Sequence, residues 1–368
     1  MSHEVRLTRS GTGDRPDLEL SKWKSYEIES NMLELADAFH LVAPNIDGEL
    51  AGQVLKEDEI QIVVDGETVL TGNVDDVRYD GSDDGATVNI TGRDKGRFLV
   101  DCSARVASLH GKTLKTLAEA LTSDWIDEWE TSGAVALPSV KKMKVDPGEK
   151  VIDCLKRFAD IAKVLIWVRE DGVGVIGRPD YNQHVEHALY RYKRSSKLRG
   201  LNNVLLGAVT ESSRDQFSTI TVLTSAANTG GGGLFGGGGG SLLGGSGKGQ
   251  SKIKGSAVDA TVANGKWLVI PGATAKNAAQ AKILAEEHRD LATFRAWTGV
   301  YTVRGHKNGA SVNEEGDLWR VNTLCSLVDE LAGVTSGCFI VTRRRFTCDE
   351  QSGTRTEVEI HPAGVYLV

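Results

Sequence analysis

The chain has 368 residues, 40% hydrophobic and 25% charged, enough for two to four domains with apolar cores. Its formal net charge of −7 excludes a nucleic-acid coat, because no domain-wide basic excess exists to neutralise phosphates. No apolar run is long enough to span a bilayer, so no stable membrane insertion is expected.

The N-terminus, Met1-Ser2-His3-Glu4-Val5-Arg6, lacks the basic-then-apolar order of a signal peptide, which predicts synthesis in the cytoplasm. Residues 4–9 alternate apolar and polar as a half-buried strand does. Trp23, Tyr26 and Ile28 mark a second β stretch, and Ala38 to Ala43 a third, closed by Pro44-Asn45. Ile60 to Val64 and Thr68 to Leu70 flank Asp65-Gly66, a dipeptide suited to a tight hairpin with positive φ. Val74 to Tyr79 and Ala86 to Gly92 form another pair around the acidic loop 80–85. That loop lacks the ligand order and closing Glu of an EF-hand, so a solvated hairpin tip outweighs a calcium site. Strands this short and evenly spaced predict a small barrel or sandwich.

Gly92-Arg93-Asp94-Lys95-Gly96-Arg97-Phe98-Leu99-Val100-Asp101-Cys102-Ser103-Ala104 marks the exit from this β region. Asp101 is expected to cap or bond the turn there. From about residue 105 the period changes. Leu114, Leu117, Ala118 and Leu121 predict an amphipathic helix over 112–122. A second helix is expected from Asp146-Pro147-Gly148-Glu149, with Asp146 as cap and Glu149 as the capping-box acid. Val164 to Val168 and Val173 to Ile176 then read as a hairpin through Glu170-Asp171-Gly172.

Strands return at Asn203 to Val209 and Phe217 to Thr224. The tract from Gly230 to Gly249 cannot offset its ordering entropy by burial and is expected to be a mobile loop. Leu234, Phe235, Leu242 and Leu243 within it leave open an apolar segment that orders against a partner, though a loop insertion is the favoured reading. Residues 274–296 predict a third helix, capped by Thr274, with Ala281, Leu284, Leu291 and Phe294 as its stripe. The end is β again: Thr298 to Arg304, Leu318 to Val328, Cys338 to Phe346 and Thr354 to Ile360. Alternation puts Arg344 on the opposite face from Arg343 and Arg345, where a solvated face or an inter-subunit ion pair is favoured over phosphate binding.

A search for catalytic chemistry finds little. His184-Val185-Glu186-His187 is not a known zinc-protease order, and the segment after Pro179 reads as irregular chain. There is no Gly-x-Ser-x-Gly elbow and no P-loop. Carboxylate pairs such as Asp75/Asp76 and Glu314/Glu315 are adjacent in sequence, which does not establish a separation across a cleft. Cys102, Cys154, Cys325, Cys338 and Cys348 include no Cys-x-x-Cys pair and are expected to be buried reduced thiols. Trp125 and Trp129 are better placed to pack a core than to stack on a sugar. No catalytic, cofactor-binding or metal residue is nominated, and the chain is not expected to be an enzyme.

The stretch 92–104, Gly-Arg-Asp…Leu-Val-Asp-Cys-Ser-Ala, resembles a signature of the baseplate hub proteins of Mu-like contractile-tailed phages. Val145-Asp146-Pro147-Gly148-Glu149-Lys150-Val151-Ile152, with its helix and the hairpin ending Ile176-Gly177-Arg178-Pro179, is similar to that family's insert domain. Leu201-Asn202-Asn203-Val204 resembles the entry to its second barrel, and Leu318-Trp319-Arg320-Val321-Asn322 its last part. The glycine tract departs from the pattern. The resemblance implies a β-rich α+β chain with two barrel-like domains: residues 1–98, an α/β insert at 99–179, and residues 180–368 with the helix at 274–296 and a Gly-rich loop at 228–255. It also implies a homotrimer whose six barrels ring the tail axis, joining a hexameric tail tube or tube adaptor to a trimeric central spike. Other baseplate proteins would surround it, DNA would only pass through the lumen, and the virion tail would be its location. The hub of a phage-tail-like bacteriocin or of a secretion-system spike is an alternative in the same architecture. A tail-associated cell-wall hydrolase and a carbohydrate-binding module are alternatives from other classes.

Overall fold

The computed structural model describes residues 3–365 except 12, 83–84, 106–107, 110, 134–136, 138, 141–142, 163, 226–251, 264, 272–274, 276 and 310–315. The glycine tract at 230–249, Thr274 and Glu314/Glu315 lie outside the described residues. The chain divides into two compact units, residues 1–209 with 298–363, and residues 210–297 with 364–368.

The first unit begins with seven strands: β1 (Val5–Arg9), β2 (Leu18–Leu20), β3 (Ser25–Asn31), β4 (Ala38–Pro44), β5 (Glu59–Val64), β6 (Glu67–Ser82) and β7 (Gly85–Asp94). They lie in the order β3-β4-β7-β6-β5-β1-β2, each neighbour antiparallel. Alternation drives the arrangement. Val5 and Leu7, Ile60 and Ile62, and Tyr26 and Ile28 are buried while the residues between them face outward. Asp65 and Gly66 have φ of 50° and 89°, the paired positive values that a two-residue hairpin with right-handed strand twist requires. Thr68–Leu70 and Val74–Tyr79, separate strands by sequence, are one 16-residue strand, β6. Gly72 permits this, because a Cβ there would lie 2.1 Å from the Arg93 carbonyl oxygen on β7.

Six later strands continue the same sheet: Val185–Arg191, Val204–Glu211, Trp297–Arg304, Leu324–Asp329, Val334–Asp349 and Gly353–Pro362. The join is the 16-residue strand Val334–Asp349. Its second half pairs with β3, Arg343 opposite Asn31 through Cys348 opposite Tyr26, and its first half pairs with Leu324–Asp329. The β-rich α+β class holds, with one correction. The 13 strands do not close into two barrels: 11 run in one ladder from Val204–Glu211 to β2, and Leu324–Asp329 with Val185–Arg191 branches from it at Val334–Asp349. The edge of β3 that would close the first barrel is taken by Val334–Asp349.

Between β7 and Val185–Arg191 lie α1 (Arg97–Asp101), α2 (Leu114–Thr122), α3 (Val151–Ala162) and a three-stranded sheet. In that sheet Gly174–Gly177 is central, parallel to Trp129–Ser132 and antiparallel to Leu165–Val168. Leu99, Leu114, Leu117, Trp129 and Leu155 belong to one buried core. Thr113 caps α2 by accepting from the Thr116 N–H. The second helix starts at Val151 rather than Asp146. Gly148 has φ 83°, outside the helical region, so Asp146–Glu149 is a turn. The Glu149 carboxylate still accepts from the Asp146 N–H at 3.0 Å.

The second unit is a three-stranded sheet, Lys252–Val258, Thr219–Ser225 and Trp267–Pro271 in that order, with α4 (Ala278–Ala296) packed on it. Ile220, Val222, Ala257, Ala281 and Ala285 form its core. Gly255 lets the helix approach, since a Cβ there would lie 2.1 Å from the Lys282 nitrogen. Asn277 caps α4 by accepting from the Gln280 N–H at 2.9 Å, so the helix begins later than the expected start at 274.

Candidate functional site

Residues 92–101 carry the chain from sheet to insert, and their polar groups are spent on holding that passage. Asp94 is buried, and its Oδ1 accepts from the Gly96 N–H at 2.9 Å, which turns the chain. Arg93 and Arg97 share Asp75 on β6: Arg93 Nε lies 2.7 Å from Oδ2 and Arg97 Nη1 2.7 Å from Oδ1. Arg93 also reaches Asp101 at 2.7 Å, and the buried Arg97 reaches Glu57. Asp101 is thus an ion-pair partner, and among the described residues no cap hydrogen bond comes from it. The Arg93 guanidinium holds its carboxyl below the usual range. Desolvation pushes the Asp37 carboxyl up to about 7, and burial together with the Asp37 charge raises Asp94.

The buried histidines are structural fasteners. His187 lies in the strand Val185–Arg191, where the sequence suggested irregular chain. It stacks on Trp319 with ring centroids 4.0 Å apart, and its Nδ1 donates to the Asn308 carbonyl at 2.6 Å. Burial pushes its pKa down to about 4. His306 is also fully buried. Thr356 Oγ1 donates to the Gly305 carbonyl, so it must accept from His306 Nδ1, which leaves His306 Nε2 to accept from the Tyr26 hydroxyl at 2.9 Å. His3 Nε2 accepts from the His306 backbone N–H, and His3 Nδ1 donates to Asp65 at 2.6 Å. The Asp65–His3 pair looks like half of a nucleophilic triad, but the nitrogen that would act as base is already bonded to the backbone.

Alternation separates the three arginines as expected. Arg343 pairs with Glu29 and Arg345 with Glu27, both on β3, so these ion pairs lie within the chain. Arg344 is fully buried, packs on the Phe346 ring at 4.1 Å, and is pushed down to about 10 by burial. Its Nε and Nη1 have no hydrogen-bond partner among the described residues, and nor does Glu170 Oε1. Glu170 lines a cavity of about 360 Å3 with Trp167, Arg320 and Asn322.

The other sequence candidates resolve plainly. Trp129 is buried and its Nε1 donates to Thr122 Oγ1 at 2.8 Å, while Trp125 stacks on Phe98, so neither offers a sugar platform. Asp80 in the acidic hairpin pairs with Arg78, and residues 83–84 lie outside the described residues. Among the described residues no group of three or more His, Cys, Asp or Glu is arranged to hold a metal. Cys154 and Cys325 are buried with raised thiol pKa values, whereas Cys338 is exposed, against the expectation of burial.

What the first unit offers instead is surface. Its exposed large apolar side chains fall mainly into two groups. One is Leu198, Leu201, Leu205 and Leu206, with exposed Lys193, Arg194, Lys197 and Arg199 beside them. Asn202 and Asn203 hold this segment by accepting from the Tyr192 and Tyr190 N–H groups at 2.7 and 2.8 Å. The other is Ile46, Leu55 and Tyr79, with exposed Asp47, Glu49 and Glu57. The Gly52 N–H donates to the Tyr79 hydroxyl at 3.1 Å and ties that loop to β6. Sequence reasoning missed both groups, because exposure is decided by the packed chain, and the second also joins the loop after β4 to β6.

Comparison with known proteins gives this surface a context. Residues 18–94 match the N-terminal domain of the GpP-like Mu phage baseplate assembly proteins, and residues 97–178 the second domain of gp44-like baseplate hub proteins. The baseplate hub protein gp44 of Escherichia phage Mu is 26% identical over 359 residues, 94% of this chain and 86% of that protein. The fold resembles that of a tail protein from Neisseria meningitidis MC58, with TM-score 0.78, 23% identity, and 100% and 98% of the two chains covered. It also resembles a 43 kDa tail protein of prophage MuSo2 from Shewanella oneidensis, with TM-score 0.75, 22% identity, and 98% of each chain covered. Two baseplate-protein domain matches in consecutive order over residues 18–178, and a hub relative aligned along nearly the whole chain, make this protein similar throughout to the baseplate hub proteins of Mu-like phages.

Proposed function

We propose that three copies of this hub form a pseudo-sixfold ring that joins a hexameric tail tube, or its adaptor, to a trimeric central spike and lets DNA pass through the lumen. The observation that carries this reading is the composition of the large sheet. Each chain contributes one β half before the insert and one after it, and the two halves meet where β3 pairs with Val334–Asp349. Three chains then present six β halves around an axis of threefold symmetry, which suits a sixfold neighbour on one side and a threefold one on the other. The role is mechanical rather than catalytic: the buried polar groups of the first unit lock segments distant in sequence, as His3 does with Asp65 and His306. A net charge of −7 favours a lumen that does not retain DNA. The chain would be made in the host cytoplasm and then meet the spike, the tube and other baseplate proteins.

Negative-stain electron microscopy of the purified chain tests the ring. Class averages with threefold symmetry, six peripheral lobes and a central opening are expected. Particles without rotational symmetry at concentrations where the chain self-associates would overturn it.

A further inference from the structure

The two exposed groups of the first unit differ in charge, and that difference selects how copies meet. The strand Val204–Glu211 ends the ladder of the large sheet. Leu205 and Leu206 are successive residues, so they point to opposite faces, yet they are 43% and 63% exposed. A strand covered on one face by its own chain would bury one of them. The segment leading into it, Arg191-Tyr192-Lys193-Arg194-Ser195-Ser196-Lys197-Leu198-Arg199, is strongly basic in a chain of net charge −7. Ile46, 69% exposed, has the exposed Asp47 and Glu49 on its own loop, and Tyr79, 47% exposed, stands between Arg78 and Asp80, which pair with each other.

We propose that the basic leucine surface around Leu205 and Leu206 of one copy seats on the acidic surface around Ile46 and Tyr79 of the next copy. The proposal rests on the ring reading above and specifies its contact. The occupant is a second copy of this chain because both complementary surfaces are present on one chain. Pairing either surface with itself across a twofold axis would set like charges against each other, so a twofold dimer is disfavoured. A head-to-tail contact matches opposite charges, and such contacts close into a ring when the rotation from one copy to the next is a whole fraction of a turn. Exposed leucines supply the apolar contact area, and the charged rim sets the register.

Sedimentation velocity on the full chain tests this, at low and high salt, with circular dichroism to confirm folding. Lys193→Glu with Lys197→Glu is expected to weaken assembly by about tenfold or more, and Asp47→Lys with Glu49→Lys by a similar factor. Combining all four should restore assembly towards that of the wild type, because the charges are then exchanged rather than lost. Leu206→Asp should weaken assembly at high salt as well, where the charge effects are screened. If the wild type assembles and both charge-reversed pairs assemble equally well, the contact is wrong and the ring reading stands. If the wild type remains a single chain under all conditions, the ring reading falls and the contact with it.

Discussion

Asp75 is the keystone of the passage from the first β strands to the insert, and Asp75→Ala should weaken that passage far more than its position on a strand surface suggests. Its carboxylate takes three hydrogen bonds from guanidinium groups, two from Arg93 and one from Arg97. Hydrogen bonds to charged groups contribute about 1.5–3 kcal/mol each. The Asp75 side chain is 24% exposed, and Arg93 and Arg97 keep Asp101 and Glu57 as second partners. Screening and those surviving pairs reduce the expected loss to about 3 kcal/mol. Asp101→Ala removes a contact of the same Arg93, but that side chain is 51% exposed, and about 0.5 kcal/mol is expected. Asp75→Ala combined with Arg97→Met should recover about 1 kcal/mol, since no buried guanidinium is then left half-paired. Hydrogen exchange read by mass spectrometry on peptides covering 72–76 and 93–101 reports this passage separately from the second unit, which urea midpoints would average in. Equal exchange in Asp75→Ala and Asp101→Ala would refute the reasoning.

Two further perturbations test the interior. Gly174→Ala should destabilise the insert by about 2 kcal/mol or more, because the added Cβ would lie 2.5 Å from the buried Trp129 ring; an unchanged melting temperature would count against that packing. Burial holds the His187 pKa at about 4 in the fold against about 6.5 unfolded, so at pH 7 its titration costs the fold almost nothing. As pH falls below the unfolded value, only the unfolded chain takes the proton, and stability is lost until the folded value is reached. The stability advantage of wild type over His187→Asn should therefore shrink by about 2 kcal/mol between about pH 7 and pH 5 in chemical denaturation. Asp37 and Asp94, with raised pKa values, respond in the opposite direction in both proteins and cancel in the difference. A difference independent of pH would show that His187 takes its proton as readily in the fold as in the unfolded chain.

Local chemistry carried much of the fold into the sequence. Asp65-Gly66 marked its hairpin because positive φ is tolerated by few residues. The α2 stripe was legible because four apolar residues at helical spacing have one way to be buried together. Arg344 was placed by alternation alone, although its complete burial was not foreseeable. Long-range choices were hidden. Nothing near β3 shows that its open edge pairs with residues 343–348, so two barrel-like domains were expected where one continuous sheet forms. The His3–His306 link joins residues 303 apart, and neither histidine has a sequence neighbour that announces it. The helix expected at Asp146 was misplaced because a capping-box pattern and a left-handed Gly148 coexist, and the backbone conformation decides. The surfaces at Leu206 and Ile46 were invisible because exposure is a property of the packed chain.

The mass of the purified chain in solution, by light scattering on a gel-filtration column, bears on the whole reading at once. A particle of about three times 39.6 kDa, persisting on dilution, is the predicted result. A particle of one chain's mass at every concentration, or a dimer, would contradict a ring of three.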